Sequence, residues 1–175
     1  LVKRYIESGE TNNAYSLAEY SYTWHDVDGS GPYEPIVATK SSTRYVTEGA
    51  ASAPTDDGLT NEVAFDTSGR AVWTKDAIGL INYYEYDTDG TLLKRISDVD
   101  TTDFGKLPDY ADATIAKPAT WSTVTAYGGL HRITDYDYDD FGRLCEVLGP
   151  EHPVEVPGAS NTHELILVRT AQWVV

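Results

Sequence analysis

Three segments of this chain share one nine-residue rhythm, and that repetition limits the fold more than any single residue does. Glu62-Val63-Ala64-Phe65-Asp66-Thr67-Ser68-Gly69-Arg70 aligns without a gap to Tyr83-Tyr84-Glu85-Tyr86-Asp87-Thr88-Asp89-Gly90-Thr91. Both align to Asp135-Tyr136-Asp137-Tyr138-Asp139-Asp140-Phe141-Gly142-Arg143. Each copy reads as a short aromatic strand, a tight turn and a returning strand. A lone hairpin of this size cannot bury its own aromatic face in water, so the copies must stack. The expectation is an all-β fold: an array of antiparallel β-hairpins forming a curved or spiralling sheet, with irregular loop insertions.

The turns carry their own chemistry. Aspartate at the first position accepts a hydrogen bond from the backbone N–H two residues on, and glycine at the fourth tolerates positive φ. The pairs Asp66 and Gly69, Asp87 and Gly90, and Asp139 and Gly142 are therefore the turn-setting residues. A further turn, Asp76-Ala77-Ile78-Gly79, lies between the first two copies, and a degenerate one at Asp26-Val27-Asp28-Gly29 follows the aromatic run Tyr20–Trp24. Asp66, Asp76 and Asp87 recur every 10 or 11 residues, the spacing of a meander with strands of about six residues.

Strand alternation puts Tyr84 and Tyr86 on one face, with Glu85 and Asp87 on the other. Tyr136 and Tyr138 repeat that pair, and in the first copy Phe65 precedes the turn and Val72 and Trp73 follow it, Phe65 and Trp73 being the repeat aromatics there. Tyrosine, at 13 residues against 3 phenylalanines, suits half-buried sheet surfaces with one edge near water. Leu92 or Leu93 is expected beneath the tyrosines of the middle copy. Residues 1–175 are read as one array, with its clearest copies at 62–79, 82–97 and 134–150. Loop insertions are expected at about 48–58, 98–117 and 149–163, the second holding a short helix over 108–116 and the third, with Pro150, Pro153 and Pro157, running as a surface connector. Strand-like sequence at both ends of the chain suggests a segment of something longer.

The run Tyr136-Asp137-Tyr138-Asp139-Asp140-Phe141-Gly142-Arg143-Leu144 resembles the repeat of the Rhs/YD-repeat family. Tyr84 to Leu92 departs from that pattern only at Thr91, and Val63 to Ala71 keeps the turn with phenylalanine for tyrosine. The family includes bacterial Rhs-type toxins, the shell component of insecticidal toxin complexes, and teneurins. The resemblance covers under half of the chain, about 62–97 and 134–150. It implies a spiralling β-shell that encloses a C-terminal effector segment, in a secreted or cell-surface protein. The self-cleaving end-of-core segment of such shells has no match here, so no autoproteolysis is carried over.

Composition excludes some functions. A net charge of -15 repels phosphate backbones and anionic headgroups, which argues against nucleic-acid and membrane-surface partners. No stretch approaches the ~20 apolar residues of a membrane-spanning helix. Cys145 is the only cysteine, so an intrachain disulfide and a cysteine-based zinc site are ruled out, and a small packed side chain is expected there. The histidines His25, His131, His152 and His163 lie in no metalloprotease, nucleophile-elbow or phosphate-loop context, and are expected to be ordinary packed or surface residues. Asp135, Asp137 and Asp139 alternate on the side opposite the tyrosines and read as a solvated face rather than a catalytic carboxylate pair. Asp26, Asp28 and Ser30 match the first half of a calcium loop, but Val37 stands where a bidentate glutamate belongs, so a hairpin turn is the first reading and calcium the second. No cofactor and no enzyme activity are expected. The expected function is structural, a shell wall whose partners are neighbouring copies of the same or identical chains and an enclosed effector. The alternative is an extracellular self-assembling module, of a fibre or surface layer, or one that binds carbohydrate or a cell surface.

Overall fold

Among the described residues ten strands lie side by side in one antiparallel sheet, in the order in which they occur along the chain. The computed structural model describes residues 2–6, 16–26, 36–46, 59–111, 113–122, 128–157 and 163–174. The strands are β1 (Val2–Ile6), β2 (Ser16–Trp24), β3 (Val37–Val46), β4 (Leu59–Phe65) and β5 (Ala71–Lys75), followed by β6 (Ile81–Tyr86), β7 (Leu92–Ser97), β8 (Arg132–Tyr138), β9 (Leu144–Pro157) and β10 (His163–Trp173). Every neighbour in sequence is a neighbour in space, β7 and β8 included although the insert separates them. The all-β hairpin array expected from the repeats is present. The insertion at 48–58 and most of the Asp26–Gly29 turn lie outside the described residues.

The repeat persists in the register. Within each copy the pairing slips by one residue just after the turn: between Ala64/Phe65 in β4–β5, Glu85/Tyr86 in β6–β7 and Asp137/Tyr138 in β8–β9. The extra residue is Val72, Leu93 and Cys145 in turn, six positions after the turn aspartate each time. A bulge at a fixed place adds the same local twist to every hairpin, so the copies bend the sheet alike.

The buried core sits on the face that alternation assigned to solvent. Cross-strand partners run Ala64↔Trp73↔Tyr83↔Ile96↔Ile133, and the first four of these are buried, with Trp73 and Ile96 fully so. Tyr84 and Tyr86 lie on the other face and are only half-buried. Trp73 therefore belongs with Tyr83 and not with the repeat tyrosines. Leu92 pairs with Tyr86 as expected, whereas Leu93 is the exposed bulge residue. Ion pairs flank this row at both ends, Lys75–Glu62 at 3.3 Å on the side of the Asp76–Gly79 turn and Lys94–Glu85 at 3.2 Å on the side of the Asp87–Gly90 turn.

The segment between β7 and β8 decides which face is buried. Val99, Tyr110 and Trp121 pack onto Trp73 and Tyr83, with Ala113 and Ile115 against them. Tyr110 meets Trp73 edge to face at 5.4 Å, and the Trp73 indole N–H donates to the Ile115 carbonyl at 3.1 Å. The helix in this insert is a 3-10 turn at Phe104–Tyr110, earlier than the 108–116 expected, because Asp103 caps it by accepting from the Gly105 N–H at 2.8 Å. The loop insertion thus covers the core face and makes a second layer over the sheet.

The expected connector at 149–163 is also corrected. Residues up to Pro157 continue β9, paired as far as Pro157↔His163 in a long hairpin with β10. The pairing of β8 with β9 stops at Asp135↔Leu148, so beyond it one rim of β9 meets no strand among the described residues. Proline, which lacks an N–H, is tolerated along such a rim.

Candidate functional site

What the chain builds most regularly is a ladder of turns on one edge of the sheet, formed by the β4–β5, β6–β7 and β8–β9 connections. In each of them the aspartate N–H donates to the carbonyl four residues on: Asp66 to Arg70 at 2.9 Å, Asp87 to Thr91 at 3.0 Å and Asp139 to Arg143 at 2.9 Å. The glycine N–H returns to the aspartate carbonyl, and Gly69, Gly90 and Gly142 have φ of 79°, 93° and 74°. The aspartate Oδ1 then accepts two backbone N–H groups, from Ser68 and Arg70 in the first copy, Asp89 and Thr91 in the second, and Phe141 and Arg143 in the third. Asp76 and Gly79 repeat the arrangement on the opposite edge, Asp76 Oδ1 accepting from Ile78 and Leu80. In all three copies the aspartate accepts from the N–H two residues on and the glycine has positive φ.

These bonds favour the ionised carboxylate. Burial of Asp66 works against ionisation, but the Arg70 backbone N–H and guanidinium outweigh it and hold the carboxyl below its ordinary value. The N–H of Thr91 does the same for Asp87, and the Arg143 guanidinium for Asp139.

Copy is tied to copy by the tyrosines and one arginine. The Tyr86 hydroxyl donates to the Ala71 carbonyl at 3.1 Å, and the Tyr138 hydroxyl to the Leu92 carbonyl at 3.0 Å. Each acceptor lies five residues after the turn aspartate of the preceding copy, so the two bonds are the same rung. Burial raises both phenol pKa values, which keeps these hydroxyls donors. Arg70 pairs with Asp66 at 2.7 Å, lies over the Tyr86 ring at 5.2 Å and donates to the Asp87 carbonyl at 2.7 Å. Arg143 makes the matching 2.7 Å pair with Asp139, yet its side chain is 76% exposed against 23% for Arg70. Thr91 holds the equivalent place in the middle copy and carries no charge to bridge with.

No protein-family model matches this chain, and no curated relative was found for it. Its chemistry has to be read from its own side chains.

His131 is the residue sequence reasoning undervalued. It is buried at the neck of the insert, with φ of 47°, and its Nδ1 accepts from the Asp100 N–H at 3.1 Å. Nε2 therefore carries the proton and donates to Asp109 at 3.0 Å. With both nitrogens engaged the ring has no free lone pair for a base and serves as a clamp. The clue in the sequence was the Gly128-Gly129 pair before it: a side chain on Gly129 would fall on the Asp98 and Val99 backbone. Cys145, half-buried at the third bulge, donates its thiol to the Asp137 carbonyl at 3.3 Å. Asp135 is held by Arg169 at 2.7 Å, and Asp139 caps its turn, so the three alternating aspartates do not share one solvated role. Among the described residues no three His, Cys, Asp or Glu side chains gather as a metal site. Of the calcium candidates, Asp28 and Ser30 lie outside the described residues.

Proposed function

We propose that this chain is a wall segment of an Rhs/YD-type shell, a structural part that encloses or displays an effector polypeptide. The observation that carries the proposal is the identical Tyr86–Ala71 and Tyr138–Leu92 rung, which repeats one geometry from copy to copy. A sheet whose strands follow sequence order, bulge at the same point and lock through repeated rungs extends by simple addition of copies. The register shift shared by the three hairpins supports a surface that bends around contents, and such a surface has no need of a reactive centre. The encoding gene supplies the test. Further aromatic-Asp-x-x-Gly copies on both sides, followed by an unrelated tail, are expected. A secretion leader directly before Leu1 together with a stop directly after Val175 would sink the proposal.

A second reading, assembly of identical chains, is favoured by β10, which ends the strand order and exposes Leu165, Leu167 and Trp173. Light scattering at increasing concentration measures it: growth in mass that Leu167→Lys abolishes supports assembly through this edge, and a constant monomer mass refutes it.

A further inference from the structure

A depression of about 420 Å3 lies between the end of β2, the start of β3 and the β4–β5 turn, lined by none of the buried core residues. Tyr22, Phe65, Ile36 and Val37 give it apolar surface, and Thr67, Ser68 and Lys40 contribute polar groups. Its frame is held by His25. The His25 backbone N–H donates to the Ile36 carbonyl at 3.0 Å, and ring Nε2 lies 2.7 Å from the Phe65 carbonyl, where it must be the donor. One side chain thus ties β2 across β3 to the end of β4.

Beside the depression two rings stand in a row on β2. Tyr22 and Trp24 have centroids 6.4 Å apart and planes within 28°, and they are 40% and 46% exposed. Adjacent large rings left in contact with water mark a surface that gains by being covered. The flat rings, neighbouring hydroxyls and shallow shape together select the ligand class. A pyranose with equatorial hydroxyls has an apolar C–H face, which matches an aromatic ring, and a rim of hydroxyls, which the Thr67 and Ser68 side chains can meet. Charge narrows the class further. A chain of net charge -15 repels uronates and sulfated sugars, and the one lysine here lies over the Tyr20 ring at 5.5 Å.

We infer that this depression binds a neutral oligosaccharide of equatorially hydroxylated pyranoses, with a sugar ring stacked on Tyr22 and the adjoining unit carried toward Trp24. The site does not depend on what the wall encloses.

Saturation-transfer NMR on the whole chain tests the inference, with cellohexaose and laminarihexaose as probes and a galacturonate hexamer as the anionic comparison. Transfer to the C–H protons of at least one neutral hexamer is expected, and little to the galacturonate. Tyr22→Ala should weaken binding by about tenfold or more, since it removes the stacking face. Tyr22→Leu, which keeps apolar bulk and spares the fold, should lose binding too, while Trp173→Ala on the remote β10 should leave it unchanged. Absence of transfer to both neutral hexamers overturns the inference. Binding that survives both Tyr22 variants, or a preference for galacturonate, overturns it equally.

Discussion

Glycine at the fourth turn position is where one atom decides the backbone. Gly142 has φ of 74° with open space where a Cβ would stand, so Gly142→Ala costs only the strain of a left-handed L-residue. We expect a loss of about 1–2 kcal/mol, most of it recovered by Gly142→Asn, measured by urea unfolding. Equal losses for Ala and Asn would mean that something other than φ is at stake. The two arginines make a second comparison. Arg70 bridges two copies, and Arg70→Ala should cost about 1–2 kcal/mol through its charged hydrogen bonds. Arg143 has the same local pair but stands largely in solvent, and Arg143→Ala should leave the unfolding midpoint almost where it was. If the two variants behave alike, the bridge to Asp87 contributes nothing.

At the scale of elements, the insert and the central strands stabilise each other. Trp73 is fully buried between Tyr83 and Tyr110 and holds Ile115 through its indole. Trp73→Ala should cost about 3–5 kcal/mol and expose the insert to early proteolysis between Phe104 and Trp121. Tyr84→Ala, on the half-buried face, should cost less and leave the cleavage pattern unchanged. A proteolysis map that changes equally in both variants would show that the insert is not anchored through the tryptophan.

The whole molecule should respond to acid in two stages. Burial lowers the His131 pKa, with Asp109 only partly offsetting it, so the neutral ring is the form that folding favours. Because the folded pKa lies below the unfolded value of ~6.5, this stability is complete above that pH and is lost as pH falls below it. Protonation of Nδ1 also ends its bond from the Asp100 N–H, which loosens the insert first. Asp66, Asp87 and Asp139 have folded pKa values depressed below ~3.9, so their contribution persists to that pH and fades as pH falls through the depressed values. Hydrogen exchange should therefore rise in the insert before it rises in the hairpins, and His131→Phe should remove the early stage alone. Simultaneous loss of both regions would refute this order.

Local chemistry made the turns and strands readable from sequence. An Asp-x-x-Gly reversal depends on bonds within five residues, so its residues, its positive φ and the meander order were all legible at Asp66, Asp87 and Asp139. Alternation also separated Tyr84 and Tyr86 from Glu85 correctly, since it needs only the pleat. Which of those two faces becomes core was not legible, because it depends on a segment more than ten residues away folding back to cover one of them. Val99, Tyr110 and Trp121 supply that cover. Burial follows from what packs against a surface, and only the tertiary structure brings the covering residues to it.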